Sequence, residues 1–244
     1  MHASRTAVRV RHRLSFVLVA APLVCLFASH AGAFDELNAA QSLIYDRPHL
    51  ASSAAGDEID YRYRARVGES AAIEDRARLR VAALADEERR DVTLDFLSEA
   101  RRIELPPFEG YRGNPVLIAM LEHLARELAL AAGGAPLYVR NRIRDALARE
   151  DTAIVEAEAA LADGREVSAT TLEFLPFRGD AYLGARPGIG DARFRIVLSD
   201  AVPGGVVAIG ARSGESGETD DASGARFDYE LAFDARRANA DVGD

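Results

Sequence analysis

Along most of the chain apolar residues recur at every second position, and in two stretches the recurrence lengthens to three or four. Ile59, Tyr61, Tyr63, Ala65 and Val67 alternate with Asp60, Arg62, Arg64 and Arg66, the period of a strand with one buried and one solvated face. Ala77, Leu79, Val81 and Ala83 alternate with Arg76, Arg78 and Arg80, and Val92, Leu94 and Phe96 with Asp91, Thr93 and Asp95. These runs predict two more strands joined by the polar turn Asp86 to Arg90, with Asp91 and Asp95 lying across from the arginines. Leu105, Pro106, Pro107 and the loop FEGYRG then redirect the chain.

Asn114 before Pro115 is a cap residue followed by proline at the first helical position. Leu117, Met120, Leu121, Leu124 and Leu128 follow on one helical face, and Gly133 and Gly134 end the helix. Val139, Ile143 and Leu147 predict a second helix from Pro136 to about Glu150. The period then returns to two. Val155 to Leu161 and Val167 to Phe174 flank Asp163-Gly164, a hairpin signal, and Pro176 stops the second strand. Phe194 to Leu198, Val206 to Ile209 and the run Phe227, Tyr229, Leu231, Phe233 predict three further strands. A short amphipathic helix is expected over Phe34 to Tyr45 and a loop over Ala51 to Asp57. Ser213 to Gly224 reads as a mobile polar loop, and the tail from Arg236 as frayed.

Strands, then helices, then strands predict an α+β domain over residues 34–235. Its expected form is a curved, mostly antiparallel, half-barrel-like sheet with two central helices packed on the concave face.

The first residues depart from both periods. Arg5, Arg9, Arg11 and Arg13 precede the apolar run Leu14 to Phe27, which ends at Ala31, Gly32 and Ala33. That order reads as a cleaved Sec-type signal over residues 1–33, with an uncleaved anchor as the alternative. Its removal would take four of the 30 basic residues, none of the 39 acids, and the single cysteine, Cys25, so that the net charge of −9 becomes more negative by four. Such a chain repels phosphate backbones, which argues against nucleic acid as a partner. Without cysteine it forms no disulfide and no thiolate metal site. Its basic residues are all arginine and alanine is abundant, which points to a GC-rich bacterial genome and a periplasmic location.

Two histidines remain, His49 and His123. His123 stands one turn before Glu127, a spacing that reads as a surface His-Glu contact, and His49 as a loop residue. No serine occupies a G-x-S-x-G elbow, so a hydrolase using either histidine is a minor alternative. Gly184, Gly188 and Gly190 read as a turn. No metal ligand set and no cofactor is expected. Arg140, Arg142 and Arg144 read as a solvated face; alternatively Arg140 and Arg144 hold an anionic head group. Tyr61, Tyr63, Phe96, Phe174, Phe194 and Tyr229 give the sheet an aromatic face. With Leu117, Met120, Leu121 and Leu124 they form either a core or the lining of a cavity for an apolar ligand.

SDAVPGGVVAI, from Ser199 to Ile209, resembles a segment of LolA-like exported proteins, in which a PGG turn leads into a strand. That resemblance implies a curved half-barrel with helices in its hollow and the carriage of acyl chains or similar amphiphiles. YRGNP at Tyr111 to Pro115 and YVRNRIRDAL at Tyr138 to Leu147 resemble an uncharacterised family of exported proteobacterial proteins, which implies no activity. The resulting expectation is a periplasmic, non-enzymatic protein binding a lipid or acyl chain, membrane-proximal without spanning. The alternative is an envelope scaffold or assembly factor.

Overall fold

The computed structural model describes residues 37–213 and 226–238. The expected export signal, with Cys25, and nearly all of the expected mobile loop lie outside the described residues. The described residues form one compact unit by their contacts.

Nine strands form one open, curved antiparallel sheet in the order β4-β3-β2-β1-β9-β8-β7-β6-β5. They are β1 (Glu58–Val67), β2 (Ile73–Leu84), β3 (Arg90–Phe96), β4 (Phe108–Tyr111), β5 (Ala153–Ala160), β6 (Glu166–Phe174), β7 (Arg193–Leu198), β8 (Val206–Arg212) and β9 (Phe227–Arg237). Three helices accompany them: α1 (Ala39–Tyr45), α2 (Pro115–Ala132) and α3 (Pro136–Leu147). The fold is α+β, as the ordering of periods predicts.

The topology explains where the helices must lie. β4 and β5 are opposite edges of the sheet, so the segment joining them has to cross a face. That segment is α2 and α3, and the face they cross carries Tyr61, Tyr63, Leu79, Phe96 and Leu231, all buried. Asn114 caps α2 by accepting a hydrogen bond from the Val116 N–H at 3.0 Å, and Gly133 ends it in the left-handed region. Twelve of the eighteen α2 residues are buried, because the helix is covered by the sheet on one side and by α3 on another.

Several local expectations change. α1 begins at Ala39 in place of Phe34, because Asn38 and Gln41 form a reciprocal capping box there. FEGY is the edge strand β4, its Gly110 N–H donating to Asp91 Oδ1 at 2.7 Å. Asp91 therefore does not meet an arginine: it stands opposite Ala83, whereas Asp95 does pair with Arg80 at 2.5 Å. The tail is ordered through Arg237. Arg236 reaches Asp57 and Arg237 reaches Asp60, both at 2.7 Å, so the last strand runs beside the full length of β1. Tight turns occupy the Gly184 to Gly190 stretch, as expected.

The PGG segment has a physical reason for its glycines. Gly204 and Gly205 have φ of 79° and 69°, and a Cβ on Gly204 would stand 2.8 Å from the Tyr61 hydroxyl. One on Gly205 would stand 2.7 Å from His49 Nδ1. Asn114 Nδ2 then donates to both the Tyr61 hydroxyl and the Gly204 carbonyl at 2.8 Å, tying turn, sheet and helix start together.

Candidate functional site

The residues expected to line a hollow are brought together, and they fill it. Tyr61, Phe96, Leu117, Met120, Leu124 and Phe194 are 0 % exposed, so no water-sized space touches them. Tyr63, Leu121, Phe174 and Tyr229 are buried with them. Phe174 packs on Phe194 at 5.3 Å between ring centres, and Phe177 completes that end of the core. The cavity expectation is corrected at these positions: α2 lies close on the sheet and its long side chains occupy the volume. An aromatic face reads identically in sequence whether it lines a core or a cavity.

His123 is also corrected. It is buried between Tyr63, Phe96 and Tyr229, shares a 2.8 Å hydrogen bond between Nε2 and the Tyr63 hydroxyl, and does not pair with Glu127. Burial, aided by Arg126 and Arg101, lowers its pKa to about 4, so the ring is neutral. Glu127 instead accepts from the Tyr229 hydroxyl at 3.5 Å. His49 is buried too. Its Nε2 donates to the Leu43 carbonyl at 2.9 Å, and burial first of all lowers its pKa to about 4. Neither ring has a hydroxyl or thiol nucleophile of serine or cysteine as its partner among the described residues.

Exposed apolar surface gathers where α2 turns into α3. From Leu128 to Val139 twelve consecutive residues carry no charge, in a chain that is 28% charged. At this tip Leu130 is 81% and Leu137 60% exposed, with Ala131, Ala135 and Pro136 also open to solvent. Two partly exposed tyrosines adjoin this helix end, Tyr138 and Tyr182, their rings edge to face at 6.2 Å. The Tyr182 hydroxyl donates to the carbonyls of Ala132 and Gly133 at 3.0 and 3.2 Å, closing the end of α2.

Asp180 holds this arrangement. It accepts from the Tyr138 hydroxyl at 2.6 Å and from the backbone N–H groups of Leu183 and Tyr182 at 2.7 and 2.9 Å. Burial alone would raise its pKa, but those hydrogen bonds prevail and hold it below the ordinary range. Guanidinium groups flank the tyrosines: Arg142 lies over Tyr138 at 5.4 Å and Arg186 over Tyr182 at 4.8 Å. Arg140, one of the two expected head-group arginines, is held by Glu122 in a bidentate pair of 2.5 and 2.6 Å. Arg144, the other, is exposed and stands 3.5 Å from Asp145.

On the opposite face of the sheet a trough of about 400 Å³ has a floor of Ala208, Ala232 and Val197 beneath Arg62, Arg64, Arg195, Glu158 and Glu230. Its arginines are engaged: Arg62 pairs with Asp234, Arg64 with Glu74 at 2.9 Å, and Arg195 with Glu173 at 3.8 Å. No three histidine, cysteine or carboxylate side chains converge among the described residues. No protein-family model and no curated protein matches the chain.

Sequence reasoning passed over Leu130, Leu137, Tyr182 and Arg186. The signal was present as the uncharged run across a helix end, which the periodicity divided between two helices without marking its exposure.

Proposed function

We propose that this is an exported, non-enzymatic binding protein that engages lipid as a surface, through the tip of its helical hairpin. The observation that carries the reading is the exposure of Leu130, in the last turn of α2, and Leu137, in the first turn of α3, within one uncharged run. Tyr138 and Tyr182, each under a guanidinium, adjoin the leucines, so the tip combines the apolar, amphipathic and cationic groups that a membrane interface accommodates. The filled interior favours this over an acyl chain carried inside.

Burying two leucines contributes about 3–5 kcal/mol, which alone corresponds to millimolar-class partitioning. The docking is therefore reversible. No described helix is long and apolar enough to cross a membrane. The acidic remainder of the chain opposes docking weakly, since charges more than about 8 Å away are screened at physiological salt.

The test is co-sedimentation with phosphatidylethanolamine/phosphatidylglycerol vesicles. The double substitution Leu130→Asp, Leu137→Asp is expected to lower vesicle partitioning at least about tenfold while lowering the melting temperature by only a few degrees, the cost of an acid in the last turn of α2, because both side chains are largely solvated in the free protein. Equal partitioning of the variant, or no partitioning of the parent, sinks the reading. A stoichiometric lipid released from purified protein by extraction would favour an enclosed carrier instead.

A further inference from the structure

The two edges of the sheet are treated differently. β4 has four residues, a register irregularity against β3, and a glycine at positive φ, all features that blunt an edge. β5 has none of them. Its eight residues pair with β6 in unbroken register from Ala153 opposite Glu173 to Ala160 opposite Glu166. It contains no proline, glycine, lysine or arginine. Seven of its eight residues are exposed, Ile154 and Val155 among them, so both sheet faces are open from Ala153 to Glu158, only Ala159 is half-buried against the core, and the outer hydrogen-bonding edge has no partner among the described residues.

We propose that the free edge of β5 receives an extended segment of another protein, added as a tenth strand and carrying basic residues at alternate positions. The charge on the strand selects this occupant. Glu156 and Glu158 share one face and accept hydrogen bonds from the hydroxyls of Thr170 and Ser168, both at 2.8 Å. Neither has an arginine partner among the described residues, although other acids of the ribbon do: Asp151 has Arg149 at 3.0 Å and Asp163 has Arg165 at 2.8 Å.

A second copy of this chain is a poor occupant. Antiparallel pairing about a twofold axis keeps the faces in register, and the two alignments that use seven of the eight residues set Glu156 against Glu156 or against Glu158 of the other copy. A strand with arginine or lysine two residues apart meets both glutamates, and small apolar residues between them meet Val155 and Ala157 on the other face. Main-chain hydrogen bonds then hold the segment and the alternating charges set its register. This surface is separate from the hairpin tip and does not depend on lipid docking.

The test uses the full chain and a fluorescent nine-residue peptide alternating valine and arginine. Three comparisons accompany it: the same peptide N-methylated at alternate residues along one edge, a valine-glutamate peptide, and the protein variant Glu156→Arg, Glu158→Arg. The parent is expected to bind the valine-arginine peptide with added amide-exchange protection at residues 153–160. Charge reversal on the protein should weaken that binding at least about tenfold and admit the valine-glutamate peptide. N-methylation should weaken it as much, because the charge stays and the pairing is lost. Equal binding of the N-methylated peptide, or protection appearing elsewhere, overturns the proposal, as does concentration-dependent dimerisation through β5. The charge-reversed variant should still sediment with vesicles and Leu130→Asp, Leu137→Asp should still bind the peptide, so failure of one idea is told apart from failure of the other.

Discussion

Arg90 shows how far a single side chain can organise this molecule without any carboxylate. It is buried, and its guanidinium donates to the carbonyls of Ala51, Ser53, Asp86, Glu87 and Arg89 at 2.5 to 3.3 Å. It thereby clamps the loop before β1 to the β2–β3 turn. Arg90→Ala would leave the buried Ser53 carbonyl without its donor and release the exposed turn carbonyls to water, and we expect a loss of about 2–3 kcal/mol in urea unfolding; Arg90→Lys, with no planar fork, should recover only part of it. The two buried histidines bear on pH. Each has a folded pKa of about 4 against an ordinary 6.5, so the unfolded chain binds the extra proton first as pH falls. Stability should be full above pH 6.5 and decline toward pH 4, by on the order of 3 kcal/mol per histidine. Melting curves across that window should flatten in His123→Gln; an unchanged slope would show that His123 does not carry the effect. Neither the clamp nor the buried ring is legible in sequence, because an arginine before a strand and a histidine four residues before a glutamate both read as surface.

Elements were more legible than residues, for reasons that differ by element. β1, β2 and β9 announce themselves because one face is wet, so arginine and acid alternate with aromatic or aliphatic residues. α2 is marked by Asn114, Pro115 and Gly133, each with a local backbone role that tertiary context does not override. β4 escaped notice because its four residues pair with β3 at two positions only, so no period develops. The β5–β6 hairpin was legible from Asp163-Gly164, but its connection spans five residues, the Leu161 N–H donating to the Arg165 carbonyl at 2.8 Å, where the dipeptide favours two. The candidate site lies at a helix end, where periodicity stops; what marked it was twelve residues without charge, a compositional signal in place of a periodic one.

For the whole molecule, the ordering of strand and helix periods was enough for the α+β class, and strand order was not, because the pairing that closes the sheet joins its most distant strands. β9 enters between β1 and β8, uniting one meander of β1 to β4 with another of β5 to β9. Nothing local in either strand states that they meet. The seam is secured at its far end by charge: Asp57, 2 % exposed, is held by Arg236 and by the Ala54 N–H, both at 2.7 Å, and Asp60 by Arg237 at 2.7 Å and Arg78 at 2.6 Å. A chain ending at Asp234 keeps every aromatic of β9 and loses only this end. If the last residues were a frayed tail, its stability would match that of the full chain within about 0.5 kcal/mol. Because Asp57 would be left buried with no cation, we expect a loss of about 3 kcal/mol in urea unfolding. Arg236→Ala should account for most of that loss and Arg237→Ala for less, since Asp60 retains Arg78. The opposite ranking would mean that the seam is held by the Asp60 pair, and equal stability of all three variants that the two meanders hold together through the apolar face alone.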